Sequence, residues 1–168
     1  MDADKLFEEM YGAPKDRLIR GASMGMTFEE VKDLEAAGEQ WETEYPFPTL
    51  EVIYRLLPDY ENEYSIVYMF SDDRKLVEVD FFFKYAEEPE QISFTDYQQI
   101  TAAFDQYFRQ KLGKPKQDKI PVEDYEEVSY AWVDRSAEPP LDVIQMYYPD
   151  HFNDKPRVMK LIFQEHHD

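Results

Sequence analysis

The chain has 168 residues, with 37 Asp and Glu against 18 Lys and Arg, a formal charge of −19. Aromatics make up 16% of it, too many for a disordered acidic tail, so a folded domain under an acidic coat is expected. The absence of Cys excludes disulfides, thiolate metal sites and cysteine nucleophiles. No apolar run approaches the roughly 18 residues that span a bilayer, and the shortage of Lys and Arg disfavours direct contact with nucleic-acid phosphates.

Lys5 to Met10 makes a short amphipathic start, stopped by Tyr11-Gly12-Ala13-Pro14. The first residues show no basic start, apolar stretch or small-residue cleavage site, so no secretory leader is read and a cytoplasmic location is the default expectation. The clearest helix signal runs from Gly25 to Leu34. Thr27 caps it, Glu30 completes a capping box, and Met26 with Val31 forms a hydrophobic staple. Gly38 closes the segment. Glu39 to Pro48 reads as a connector. Three strand-like runs follow, at Leu50 to Leu57, Tyr64 to Phe70 and Lys75 to Tyr85. The third places Val77, Val79, Phe81 and Phe83 on one face, and Glu78 and Asp80 on the other, which is expected to be an outward polar face, with a buried acid pair as the alternative. Ser71-Asp72-Asp73-Arg74 is the hairpin loop before it.

The order then repeats. After a Glu/Pro linker at Ala86 to Gln91, a second helix runs from about Thr95 to Leu112, capped by Ser93 or Thr95 and ended by Gly113 and Pro115. Lys114 to Asp124 reads as a polar loop. Glu126 to Val133, Leu141 to Tyr148 and Arg157 to Gln164 are strand-like. The expected fold is α+β: two α-βββ units, approximately residues 22–88 and 92–165, with antiparallel sheets each covered by a helix, packed as one compact domain over residues 1–168.

The run Gly25-Met26-Thr27-Phe28-Glu29-Glu30-Val31 resembles the GMT-x-E-E-V helix start of small bacterial helix-plus-meander proteins, the BamE-like assembly lipoproteins and the tandem-repeat β-lactamase inhibitory proteins. Lys111-Leu112-Gly113-Lys114-Pro115, followed by a strand containing Trp132, is similar to the second half of that pattern. The resemblance covers element order over roughly residues 22–165 and implies a binding or inhibitor protein without catalysis.

Motifs that carry chemistry are sparse. The three His residues are His151, in a loop, and His166 and His167, at the end of the chain, and no GxSxG elbow accompanies them. His166-His167-Asp168 lacks the spacing of a helical zinc site, and the acidic loops lack the Asp-x-Asp-x-Asp-Gly run of a calcium loop. Glycine-rich phosphate loops are absent. No cofactor and no metal are expected. The basic cluster Arg109, Lys111, Lys114, Lys116 and Lys119 sits where cations complement the end of a helix.

The acids are clustered at Asp59 to Glu63, Asp72-Asp73, Glu87 to Glu90 and Glu123 to Glu127, two of the clusters interleaved with Tyr. Such a surface attracts basic proteins, and tyrosine supplies contact anchors. The expected function is therefore a non-enzymatic acidic binding protein that inhibits a basic partner, as an immunity protein neutralising a bacterial toxin would, a nuclease being the natural example. The candidate contacts are Tyr60, Glu61, Glu63, Asp72, Asp73, Tyr125, Glu126 and Glu127. Neither direct nucleic-acid contact nor a membrane span is expected. The alternative is a small scaffold or assembly protein that uses an apolar groove or a sheet edge, with Trp41, Phe47 and Trp132 as its anchors. A third class is an enzyme working through carboxylates in a cleft.

Overall fold

Helix α2 (Phe28–Leu34) begins where its capping box sets it. Thr27 Oγ1 accepts from Glu30 N at 3.2 Å, and Glu30 Oε1 accepts from Thr27 N at 3.3 Å. The longest helix, α3 (Phe94–Leu112), is capped by Ser93, whose hydroxyl accepts from Asp96 N. It ends at Gly113, where a φ of 88° favours a residue without Cβ. A third helix, α1 (Ala3–Tyr11), packs on α3. The computed structural model describes residues 3–11, 19–55, 63–84, 93–122, 125–149 and 156–167.

The strands are β1 (Glu39–Thr43), β2 (Thr49–Arg55), β3 (Glu63–Phe70), β4 (Leu76–Lys84), β5 (Lys116–Val122), β6 (Tyr125–Asp134), β7 (Leu141–Pro149) and β8 (Pro156–Glu165). They form one antiparallel sheet in the order β1-β2-β3-β4-β8-β7-β6-β5. Two meanders of four strands therefore meet through their last strands, with Phe81 opposite Leu161 and Phe83 opposite Met159. The fold is α+β.

Two separate α-βββ units do not form. There is one eight-stranded sheet, and each half contributes a fourth strand where a connector and a loop were expected. The reason is local. β1 and β5 are the two edges, so each has one neighbour, and their sequences EQWET and KQDKIPV are polar. Pro121 in β5 suits an edge, where a missing N–H breaks no central ladder. The join between β4 and β8 buries apolar side chains that a separate sheet would leave open. A register shift at Met69/Phe70 also puts Leu76, not Val77, beside Phe70. Leu76 is buried and Val77 is 44% exposed.

The core lies on one face of the sheet. Phe104 packs on Phe81 and Phe7, Phe108 on Trp132 and Phe163, and Tyr97 on Phe83. Phe28 of α2 packs on Phe70 of the same face. Arg20 ties the N-terminal segments to this layer. It donates to Glu35 through Nε at 3.2 Å and Nη2 at 3.0 Å, donates to the carbonyl of Met10, and stacks on Tyr54. Burial opposes the charge on Arg20, but Glu35 beside it more than compensates and holds its pKa above the ordinary value. All the described helices cover this face. Among the described residues no helix is long and apolar enough to cross a membrane.

Candidate functional site

The other face of the sheet carries none of the described helices, and its composition follows from the register. Side chains directly opposite each other in adjacent strands share a face. One row crosses the sheet with a single residue from each strand: Trp41, Glu51, Val67, Asp80, Ile162, Ile144, Ala131 and Lys116. A flanking row contains Met69, Glu78, Gln164, Asp142 and Val133. The row on the other side contains Glu39, Ile53, Ser65, Phe82, Lys160, Met146, Ser129 and Asp118. The centre of this open face is therefore a half-buried apolar band, and its charges are mostly negative. Glu39, Glu51, Glu63, Glu78, Asp80, Asp118, Glu127 and Asp142 stand against Arg55, Lys116 and Lys160 among the described side chains.

Dimensions favour a macromolecular occupant. Eight strands about 4.8 Å apart, each about 25 Å long, give a face of about 800 Å², one side of an ordinary protein–protein interface. Trp41, 57% exposed, anchors one edge of it, and Tyr45 and Phe47 are exposed on the adjoining β1–β2 connection.

Asp80 is the unusual residue. It points to the open face, yet it is only 4% exposed, because Val67, Ile162 and the strand neighbours Glu78 and Phe82 crowd it. Its Oδ2 lies 3.6 Å from Lys160 Nζ, and its Oδ1 has no hydrogen-bond donor among the described residues. Burial and then Glu78 push its carboxyl up to about 7, against the pull of Lys160. Lys160 Nζ also sits 5.2 Å from the centre of the Phe82 ring. Towards one end of the face, Asp142 pairs with His166 Nδ1 at 2.6 Å and accepts from Gln164 at 3.5 Å.

Among the described residues, the helix-covered side includes two cavities. One, of about 230 Å³, is lined by residues including Met24, Lys111, Asp134, Ser136 and Pro139. Asp134 there is engaged by the backbone N–H and hydroxyl of Ser136. The other, of about 260 Å³, lies between α3 and β6–β7 and is lined by Phe94, Tyr97, Gln98, Thr101, Val128, Tyr130 and Tyr147. Burial, and then Asp105, raises the Tyr147 hydroxyl pKa above its ordinary value, which suits a hydrogen-bond donor. Among the described residues no three His, Asp or Glu side chains are placed to hold a metal ion.

The expected contact residues do not gather at one point. Tyr60 and Glu61 lie outside the described residues, and Tyr125 and Glu126 are in β6 with side chains outside them. Glu63 opens β3 on the open face, and Glu127 lies on the same face of β6, about 19 Å away at four strand spacings. Asp72 and Asp73 are exposed in the β3–β4 turn, at the far end of β3, about 25 Å from Glu63. Asp73 is held there by the Ser71 hydroxyl. Trp132, named with Trp41 and Phe47 as an anchor of the alternative scaffold reading, is buried, with Nε1 donating to Gly113 O at 3.0 Å. Trp41, Glu51 and Asp80 were missed as a group. The signal available for them was the alternation Glu78/Asp80, and it identifies a face without showing how deeply the carboxylate is set. Comparison with known protein families, curated proteins and solved structures finds no match to this chain.

Proposed function

We propose that this chain is a non-enzymatic binding protein that inhibits a basic partner protein through the open face of its sheet. One observation carries the proposal: the face that carries none of the described helices has the area of one side of a protein interface, an apolar centre, an exposed Trp41 at its edge, and an excess of carboxylates. The charge of −19 on the chain supports it, because that field draws a basic protein in. The form we propose is an immunity protein acting in the cytoplasm of the cell that makes a toxin. A nuclease suits such a face, since its active site is basic in order to hold phosphate groups.

The test is affinity capture followed by kinetics. A captured basic protein should associate at a rate that falls about tenfold or more as salt rises from about 20 mM to about 500 mM. An association rate indifferent to salt removes the proposal. A second reading, a scaffold or assembly protein, is favoured by the exposed aromatics Trp41, Tyr45 and Phe47 beside β1. It requires binding that is insensitive to salt and abolished when Trp41 and Phe47 are replaced together.

A further inference from the structure

We infer that Asp80 and Glu78 form a receiving site on the open face for one arginine side chain of the partner protein. This rests on the reading of the open face as an interface with a basic protein. The first observation is a missing donor. Asp80 is 4% exposed, its Oδ2 has Lys160, and its Oδ1 has no donor among the described residues, the Glu78 carboxyl beside it serving as a hydrogen-bond partner only while Asp80 carries a proton. A buried carboxylate oxygen without a donor is a cost that an incoming N–H removes.

The second observation is charge. Glu78 and Asp80 bring two negative charges when ionised, and Lys160 returns one, so the group is one cation short. Every element packed against Asp80 agrees with that count. β8 offers Lys160, Ile162 and Gln164, and β3 offers Ser65, Val67 and Met69, so among the described residues of these strands no further titratable group faces it. Lys160 comes in from solvent with its tip near Phe82, so it can move aside without losing all its contacts.

The third observation is shape. Arginine's planar fork can meet two carboxylates at once, which a lysine ammonium does less well. Phe82, Val67 and Met69 border the group with apolar surface for the guanidinium plane and the stem. At neutral pH Asp80 holds its proton about half the time, and an arriving guanidinium expels it. Binding should therefore tighten several-fold between about pH 6 and about pH 8.

The probe is methylguanidinium, titrated into the full chain and followed by two-dimensional amide NMR. The expected result is saturable binding in the millimolar range, with shifts centred on Val67, Asp80 and Ile162. Asp80→Asn and Glu78→Gln should each weaken it several-fold, while Asp33→Asn, at an exposed acid of α2 away from the open face, leaves it unchanged. Shifts spread evenly over surface carboxylates, or binding that ignores both central variants, overturn the inference. Should Asp80→Asn fail to fold, Glu78→Gln carries the test alone. A partner that binds with salt-sensitive kinetics, while methylguanidinium ignores Asp80, removes this inference and leaves the interface standing. An open face that no basic protein needs, with methylguanidinium still held at Asp80, overturns the interface and the partner arginine with it.

Discussion

Replacing Asp80 by Asn keeps the shape of the side chain and removes its charge. In the folded chain burial, and after it Glu78, raises this carboxyl from 3.8 to about 7, although Lys160 pulls it down. The folded state thus binds the proton more tightly than the unfolded state between those two values. Wild-type stability should fall through this group as pH rises from about 4 to about 7, and level off above. At about 1.4 kcal/mol per unit the whole interval is worth about 4 kcal/mol. Asp80 is coupled to its charged neighbours Glu78 and Lys160, so we expect about 2–4 kcal/mol. Asn has no such dependence. Urea unfolding of both proteins at a series of pH values measures it. The variant's stability relative to wild type should rise by about 2–4 kcal/mol between about pH 4 and about pH 8. The lost ion pair with Lys160 offsets the whole curve and leaves the low-pH to high-pH rise in place. A flat or falling difference would refute the buried, proton-holding carboxyl.

Other perturbations test the frame that carries the open face. Glu35→Gln leaves the Arg20 guanidinium buried without its counter-charge, and should cost about 3–5 kcal/mol by urea unfolding. Removing both partners together, as Glu35→Leu with Arg20→Met, should cost much less. Gly38→Ala would put a Cβ 2.4 Å from Val52 Cγ1 and 2.8 Å from Tyr54 Cζ. Both neighbours are side chains that can give only partly, so a loss of about 1–3 kcal/mol is expected, read as a lower thermal midpoint. Trp41→Ala should leave stability within about 0.5 kcal/mol of wild type, because the side chain is exposed, while partner dissociation speeds up.

Local signals in the sequence were enough for the helices. Thr27 with Glu30, Ser93 and Gly113 each satisfy or end a helix with groups a few residues away, so the sequence alone marks them. The strands with apolar alternation, such as Tyr64 to Phe70, were readable for the same reason. β1 and β5 were not, because an edge strand needs little apolar surface and its pairing partner is not written into it. The join of β4 to β8 depends on residues about 80 apart in sequence, and periodicity carries no information at that range. The candidate site suffered from the same limit. Acidity and the alternation of Glu78 and Asp80 were visible. The depth of Asp80 depends on Val67 and Ile162 from two other strands. Trp41 and Trp132 look alike as sequence, and only the sheet order separates an edge from a core position.

The central claim is that the open face grips a positively charged protein. It is tested most directly by comparing wild type with a quadruple variant, Trp41→Ala, Glu51→Gln, Glu78→Gln and Asp80→Asn, against the same captured basic protein. The variant should fold as wild type does, associate several-fold more slowly at low salt, dissociate faster, and show a weaker salt dependence than wild type. A folded variant that binds this protein with wild-type rates at every salt concentration contradicts the claim.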